Sequence, residues 1–435
     1  MAEGDFNPYE HRNVEKPLTN CDTFISLLKC VIGTGVLAMP LAIAYTGMIG
    51  GAVLTTITTI VLTYGMHLLI HCMVEAARQK QVGYATFPEA MAHAFSQGPG
   101  CFRYMARCSG WFVDGVLGFS QYCIGVVYIV FVAYNWKQLL DHLWTPIDLH
   151  ILIVVVGCML LPLFLIRHLK YLVPFNIIAN ICMYLGFMAI SYYLVRGLPE
   201  ITDRRMFGDP LLLPLFFGIV LFAVTAVGVM LSIESNMANP GAYLGCCGIL
   251  NRGIIFVIVT NVAFGMIGYW RYGDSLGASV TLNVPQDEFL SQFSKFAISL
   301  AVFLTYPLAG YVTIDIIMNH YVLKDREVKN PHMIEYAVRF SFVVLNTLNA
   351  LAFPNLGPLL ALVGAFTISI LNLIFPAIIE ICLLYASTYG TGKWKLWKDI
   401  ALIIIGAAIL VTGTYTAILD IIREYGGGSS KRLED

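Results

Sequence analysis

The chain has 435 residues, of which 58% are hydrophobic and 12% are charged, and its formal net charge is −1. Soluble globular domains hold roughly 45–50% apolar and about 25% charged residues, so this composition indicates a polytopic membrane protein. A net charge near zero, with no separate basic domain, excludes nucleic acid as an expected partner and leaves the lipid bilayer as the expected surroundings.

Residues 1–21 are polar and lack the apolar core and cleavage pattern of a signal peptide, so we expect a tail ahead of the membrane domain. After this tail, apolar windows of about 20 residues, the length that crosses a bilayer, predict about eleven helices within residues 22–421. They lie at 22–46, 48–75, 108–135, 149–167, 171–195, 211–237, 253–270, 294–320, 335–353, 356–386 and 398–421. Residues 422–435 form a second tail.

The lysines and arginines set the orientation of these spans. Most of them fall on one side of the membrane if the N-terminus is cytosolic, which is the expected arrangement because inner loops carry the positive charge. The segment from Arg78 to Arg107 lies on that side and mixes "TFPEAMAHAF" with basic residues. It predicts either an amphipathic helix lying along the cytosolic face or a helix packed against the protein.

Two of the predicted spans contain sequences that weaken a helix at membrane depth. The first has two glycines around Thr34 and then Pro40, and the sixth has Thr225, Val227 and Gly228 in close succession. Broken helices in corresponding positions of two halves are a sequence sign of a transporter binding site. Spans 1–5 and 6–10 would form the halves, 22–195 and 211–386, and an odd number of spans makes the halves inverted.

Unwound backbone is tolerated inside a membrane where it lines a cavity enclosed by protein. Amides freed near Gly33 to Gly35 can hold a carboxylate at the positive end of a half-helix, and carbonyls freed in the sixth span can accept bonds from an ammonium group. Donors on one side and acceptors on the other suit an α-amino acid. The alternative is a pair of glycine-kinked packing helices that hold no ligand.

Four stretches resemble the proton-coupled amino acid transporters of the amino acid/auxin permease group. They are "LLKCVIGTGVLAMPLA", "GMHLLIHC", "LTYPLAGYVTIDII" and "FPNLGPLLALVGAFTISILNLIFPAIIE", in that order between about Thr23 and Glu380. The resemblance implies an all-α, LeuT-like 5+5 inverted repeat with broken helices 1 and 6. It also implies a proton-driven carrier of small neutral amino acids such as glycine, alanine and proline, at the plasma membrane or a lysosomal, endosomal or vacuolar membrane.

The same resemblance implies the substrate-binding residues. They are Ile32, Gly33, Thr34 and Gly35 in the first span, and Phe222, Ala223, Thr225, Ala226 and Gly228 in the sixth. The ring of Phe222 would be a lid over the substrate. No cofactor is implied apart from the proton, and the small side chains leave room for a small substrate.

Several positions depart from the family pattern. Ser26 stands where many relatives have a histidine, and Thr225 stands where many have a glutamate. Because serine and threonine do not carry a proton at physiological pH, proton coupling loses two groups that could supply it. A proton-independent facilitator or exchanger, or an amino-acid sensor with little flux, therefore stays open as an alternative function.

The remaining charges inside spans are candidates for proton coupling or gating. Lys29 and Glu234 both lie on the cytosolic side of a break, and we expect them to pair in an inner gate; the alternative is two charges that reach the inner surface separately. His67 is a candidate proton carrier or an interhelical hydrogen-bond partner. Asp315 either takes part in coupling or meets water at its helix end, and Glu380 is expected to meet water.

Other classes of protein fit the sequence less well. A membrane enzyme would need His, Asp, Glu or Ser clustered at one depth, and the histidines here are dispersed, so no enzymatic activity is expected. A channel would need a filter of repeated carbonyls or a charged ring, and no such pattern is present in the sequence. No metal site is expected either, because His67 and His71 have no further ligands close by.

Overall fold

The computed structural model describes residues 6–12, 17–31, 33–143, 146–167, 169–224, 227–245, 248–322, 330–385 and 389–425. Across these ranges the regular structure is helical, and the one isolated β-bridge joins Leu18 to Met237. The prediction of an all-α protein is therefore confirmed.

The α-helices follow the predicted order closely. They are α1 (Asn20–Val31), α2 (Thr34–Thr46), α3 (Met48–Lys80), α4 (Phe87–Gln97), α5 (Gly100–Leu143), α6 (Leu149–Phe164), α7 (Leu169–Val195), α8 (Leu213–Val224), α9 (Val227–Ser235), α10 (Ile249–Tyr272), α11 (Phe289–Asp315), α12 (Pro331–Ala352), α13 (Leu356–Val363), α14 (Phe375–Leu383) and α15 (Trp394–Tyr425). Three π-helical segments, Ile316–Val322, Gly364–Ile368 and Ile370–Ile374, extend α11 and join α13 to α14.

All eleven predicted spans correspond to helices among the described residues. The first span is divided into α1 and α2, the sixth into α8 and α9, and the tenth runs from α13 through the π-helical segments into α14. In the described part of the chain, seven helices are long and apolar enough to cross a membrane, and α2, α6 and the helical segment ending with α8 are shorter apolar helices. The non-helical Gly33 between α1 and α2 confirms the predicted break in the first span, whereas the predicted break in the sixth span falls on Thr225 and Ala226, outside the described residues.

The helices differ in how much of their surface the protein covers. Within the apolar stretch long enough to cross the membrane, only 22% of the residues are buried in α7 and 22% in α15, whereas 72% are buried in the tenth span. The fifth and eleventh spans therefore face lipid, and the tenth lies inside the bundle. Helix α2 is also buried along nearly its whole length and packs against α8 and α10.

Helix α4 belongs to the segment from Arg78 to Arg107, for which the sequence predicts either a helix along the membrane surface or a helix packed against the protein. Glu89 accepts a hydrogen bond from the backbone N–H of Thr86 at 3.1 Å and so fixes the start of the helix. Its apolar face, which includes Met91 and Phe95, is buried, and the helix packs against α5 and α14. The structure thus supports the helix packed on the protein, and α5 begins eight residues before the predicted third span.

Candidate functional site

The first break falls where the glycine-rich stretch predicted it. Helix α1 ends at Val31 and α2 begins at Thr34; Ile32 lies outside the described residues. Gly33 is extended, with φ −145° and ψ −159°, and its carbonyl accepts a bond from the N–H of Val36 at 3.2 Å. A Cβ at Gly33 would meet no atom within 4 Å, so the break borders open space.

The N-terminal turn of α2 borders this open space. The first N–H groups of any helix lack an intrahelical acceptor and lie at the positive end of the helix dipole, which favours an anion. Thr34, whose hydroxyl belongs to this turn, is 7% exposed. The arrangement can hold a carboxylate by backbone donors without a cationic side chain.

The second break is predicted at Thr225 and Ala226, which lie outside the described residues between α8 and α9. Gly228 is in the first turn of α9 as described. Ahead of the predicted break, Ala223 is buried and Phe222 is half-buried. Carbonyls at the end of a helix lack intrahelical donors and can accept from an ammonium group, which is the role predicted for this part of the sixth span.

The N-terminal turn of α2 meets α8 at Gly35 and Ala223. A Cβ built on Gly35 would collide with the Cα of Ala223 and would lie 3.0 Å from its Cβ and 3.2 Å from its backbone nitrogen. Two predicted site residues, one from each divided span, are therefore in backbone contact. Only glycine at position 35 permits this approach.

A third wall of the site comes from the tenth span, which the sequence reasoning did not include. The Cβ of any larger residue at Gly364 would lie 2.9 Å from the backbone nitrogen of Phe222. In the same π-helical segment, Thr367 Oγ1 accepts a bond from Ser120 Oγ of α5 at 3.1 Å, and both residues are buried. Widened π turns occur often at functional sites, but hydropathy does not reveal them.

On the predicted cytosolic side, Glu234 has a partner that the sequence did not suggest. Arg12 Nη1 lies 2.9 Å from Glu234 Oε1 and also donates to the Glu234 carbonyl at 3.3 Å. The side chains of Arg12 and Glu234 are only 6% and 2% exposed. The Lys29 side chain lies outside the described residues, so the predicted pairing of Lys29 with Glu234 stays a prediction.

Two aromatic rings and a backbone ladder hold the tail in this place. The guanidinium carbon of Arg12 lies 5.0 Å from the ring centre of Tyr9 and 5.1 Å from that of Tyr84. Burial, with the charge of Glu234 adding to it, raises the pKa of Tyr84 to about 12, so the ring stays neutral. Beyond α9, Leu18 exchanges backbone bonds of 2.8 and 2.9 Å with Asn236 and Ala238.

The histidine candidate makes an interhelical bond. His67 Nε2 of α3 lies 2.7 Å from Asn251 Oδ1 of α10, and Asn251 Nδ2 donates to the carbonyl of Gly245 at 2.8 Å. The amide oxygen is the acceptor, so His67 Nε2 carries the hydrogen. His71 is exposed, and among the described residues no group of three His, Cys, Asp or Glu could hold a metal ion.

Two other charged candidates lie at the predicted inner ends of spans. Asp315 ends α11 and is exposed. Glu380 was expected to meet water, and this expectation is wrong, because it is 9% exposed and Lys398 Nζ lies 2.5 Å from its Oε2. The eleventh span, absent from the two repeats, supplies the lysine that covers it.

These features together define a polytopic helical transport protein, in which the first span is broken at Gly33 and contacts the sixth span at Ala223. The chain matches the family model of the transmembrane amino acid transporter protein over residues 16–419. It therefore belongs to that family of amino acid transporters, and it is a transport protein rather than an enzyme.

Several individual proteins are similar over most of their length. The proton-coupled amino acid transporter-like protein pathetic of Drosophila melanogaster is 36% identical, with 99% of this chain and 91% of that protein covered. Amino acid transporter AVT3C of Arabidopsis thaliana is 25% identical, with 92% and 90% covered.

Two solved structures of Mhp1, a nucleobase-cation-symport-1 family transporter, are also similar. The closed form with bromovinylhydantoin bound has 12% identity and a TM-score of 0.47, and the inward-facing form has 15% and 0.49. Each comparison covers 100% of this chain and 98% of the other.

Proposed function

We propose that this protein is a secondary active transporter of small neutral amino acids, of the glycine, alanine and proline type, that works by alternating access and is coupled to protons. The observation that carries the proposal is the contact between Gly35 and Ala223, beside the open space at Gly33. At this contact, backbone donors of the first span would lie beside backbone acceptors of the sixth.

The chemistry of the site favours a zwitterion. The substrate carboxylate would lie at the N-terminal turn of α2, and its ammonium group would face the carbonyls at the end of α8. Both recognitions use the backbone, so the substrate side chain is limited by space alone. The close approach of α2 to α8 supports a limit at small side chains, with Phe222 as the lid.

Alternating access needs a closure on each side of the substrate. The ion pair of Arg12 with Glu234 is a closure on the predicted cytosolic side, since it ties the N-terminal tail to the end of α9. Release of substrate to the cytosol would require this pair to separate. The cytosolic N-terminus rests on the distribution of lysine and arginine along the chain.

Proton coupling is supported by the name of the Drosophila relative and by buried carboxyl groups in this chain. The missing histidine at Ser26 and glutamate at Thr225 mean that the proton must be held elsewhere. The plasma membrane and the lysosomal, endosomal or vacuolar membranes are the proposed locations.

Purified protein in liposomes tests the proposal directly. Counterflow of labelled alanine, glycine and proline, with glutamate and phenylalanine as controls, should show uptake of the three small substrates only. A dye in the lumen should report acidification as alanine enters, and a protonophore should abolish accumulation but not counterflow. Binding without flux would instead identify a sensor, and uptake without acidification would identify a facilitator or exchanger.

A further inference from the structure

Glu380 and Asp399 lie together at the predicted inner end of the tenth and eleventh spans. We propose that these two carboxyl groups share one proton and form the site from which the transporter releases its coupling proton to the cytosol. The proposal rests on the proposed function, since a coupling proton exists only in a proton-coupled carrier.

The cluster contains two acids and one base. Lys398 Nζ lies 2.5 Å from Glu380 Oε2 and 3.1 Å from Asp399 Oδ1. Asp399 is 0% exposed, whereas the side chains of Glu380 and Lys398 are 12% and 19% exposed. With all three groups ionised, one negative charge would be left buried and uncompensated, which costs several kcal/mol.

The geometry of the two carboxyl groups indicates where a proton relieves this cost. The carboxyl groups of Glu380 and Asp399 both contact the same Lys398 Nζ, so the two acids are neighbours. Apart from the Lys398 ammonium group near Oδ1, neither oxygen of Asp399 has a hydrogen-bond partner among the described residues. Two ionised carboxylates cannot bond to each other, so the contact becomes favourable only when one of them is protonated.

The other titratable groups near the cluster do not compete for this proton. Span two contributes Tyr64, whose ring centre lies 5.2 Å from Lys398 Nζ, and the thiol of Cys72. Cysteine and tyrosine are ordinarily neutral at pH 7. Cys382 of α14 and Tyr389 of the following loop are neutral for the same reason. Glu75, also from span two, is bound by Arg78 at 2.9 Å, so its charge already has a partner.

The position of the cluster connects it to the substrate site. Glu380 lies on α14, which continues from the π-helical segments, and the first of these contacts the sixth span at Gly364 beside Phe222. A change in the charge of Glu380 therefore acts on the span that forms one wall of the site. The side chain of Lys398, which is 19% exposed, lies between Glu380 and water and gives the proton a route to the inner side.

Transport measurements on variants test the proposal. In liposomes, D399N and E380Q should keep alanine counterflow within about twofold, because exchange moves no net proton, and should lose alanine-driven acidification by about tenfold or more. The matched control is D141N, which removes the acid from the half-buried Lys137–Asp141 pair of 2.7 Å, on the opposite side of the membrane. This control should acidify the lumen like the wild type, and acidification retained in both D399N and E380Q would overturn the proposal.

Removing the lysine gives a prediction of opposite sign. K398Q leaves two buried acids without a cation, so the shared proton should bind more tightly and half-maximal activation by protons should move to higher pH. A cluster that only holds helices together would lose activity at every pH without such a shift, and that result would contradict the proposal.

An infrared readout separates this proposal from the proposed function and needs no variant that might misfold. Difference spectra of the wild type between about pH 6 and about pH 9, around the range in which a shared buried proton titrates, should contain a protonated-carboxyl band. Absence of that band would overturn the shared proton even if transport is coupled. A band together with no alanine uptake would leave the proton site intact and reject the proposed function.

Discussion

The substitution Gly35→Ala tests the contact between the two divided spans. The new Cβ would collide with Ala223 Cα and lie 3.0 Å from its Cβ and 3.2 Å from its backbone nitrogen. Ordinary carbon contacts are about 3.5–4.0 Å, so all three distances are too short. Two of the three atoms belong to the backbone and cannot rotate away. Relief would therefore require α2 to separate from α8.

The expected cost follows from this lack of freedom. Overpacking of a close-packed interior costs about 1–3 kcal/mol and occasionally more. We expect Gly35→Ala to lower the free energy of unfolding by about that amount. Because separation of the breaks also displaces the backbone groups that bind substrate, alanine counterflow should fall about tenfold or more, equivalent to about 1.4 kcal/mol in binding.

Gly33→Ala is the matched control, two residues away. Its Cβ meets no atom within 4 Å, and φ −145° is an extended conformation that alanine adopts freely. Stability should stay equal or rise by about 0.4–1 kcal/mol, because alanine restricts the unfolded chain. Since the added methyl group occupies the open space, the apparent affinity for proline should fall more than that for glycine.

Thermal unfolding of the purified protein, followed by tryptophan fluorescence, and counterflow in liposomes measure the two effects separately. Adding Ala223→Gly to Gly35→Ala should restore only part of the stability, because the Cα and nitrogen of residue 223 remain in the way. The reasoning is refuted if Gly35→Ala unfolds and transports like the wild type, or if Gly33→Ala is the more destabilising change.

Three further predictions concern contacts around the site. Arg12→Ala and Glu234→Gln should each destabilise the state closed to the cytosol by about 3–5 kcal/mol, because either change alone removes the buried ion pair. The double variant should lose less transport than the sum of the two single losses, and additive losses would contradict a shared gate. His67→Gln should keep both transport and its pH profile, because glutamine also donates; a shifted profile, measured by uptake across pH, would restore His67 as a proton carrier. Ser120→Ala should lower the free energy of unfolding, measured by thermal unfolding, by about 1 kcal/mol. If the double variant is no less stable than Thr367→Val alone, the two hydroxyl groups act as one contact.

Hydropathy predicts the spans of this protein because bilayer crossing is a local property of about 20 residues. The break at Gly33 is predicted for the same reason, since glycine and proline weaken a helix wherever they stand. The inverted orientation of the two halves then follows from the odd number of spans in each half. Each of these inferences needs only a window of sequence, and the structure bears out the spans and the break at Gly33.

Contacts between distant residues were not predictable in this way. Arg12 stands in a polar tail, and nothing near it in sequence indicates that it would bind Glu234, 222 positions away. Glu380 was expected to meet water because it lies at a span end, yet Lys398 of the last span covers it. Ion pairs depend on which helix ends are neighbours, and a hydropathy window holds no such information.

The π turns of the tenth span were missed for a different reason. The stretch from Gly364 to Ile374 is as apolar as an ordinary helix, and only small residues at Gly364 and Ala365 hint at a close neighbour. The turns become intelligible beside the sixth span, where Gly364 approaches Phe222. Backbone widening thus reports a packing constraint that is imposed by another part of the chain.

The two halves of the sixth span are held by interactions of different kinds, and this difference indicates which half moves. Helix α8 contacts α2 at Gly35 and the tenth span at Gly364 through backbone atoms, and such close packing does not slide without steric cost. Helix α9 is held at its cytosolic end by the Arg12 ion pair and the bridge to Leu18, which can separate as a unit. Helix α8 is therefore the fixed part of the sixth span, and α9 is the movable part. Opening to the cytosol should then displace α9 and the tail while α8, α2 and the tenth span keep their contacts.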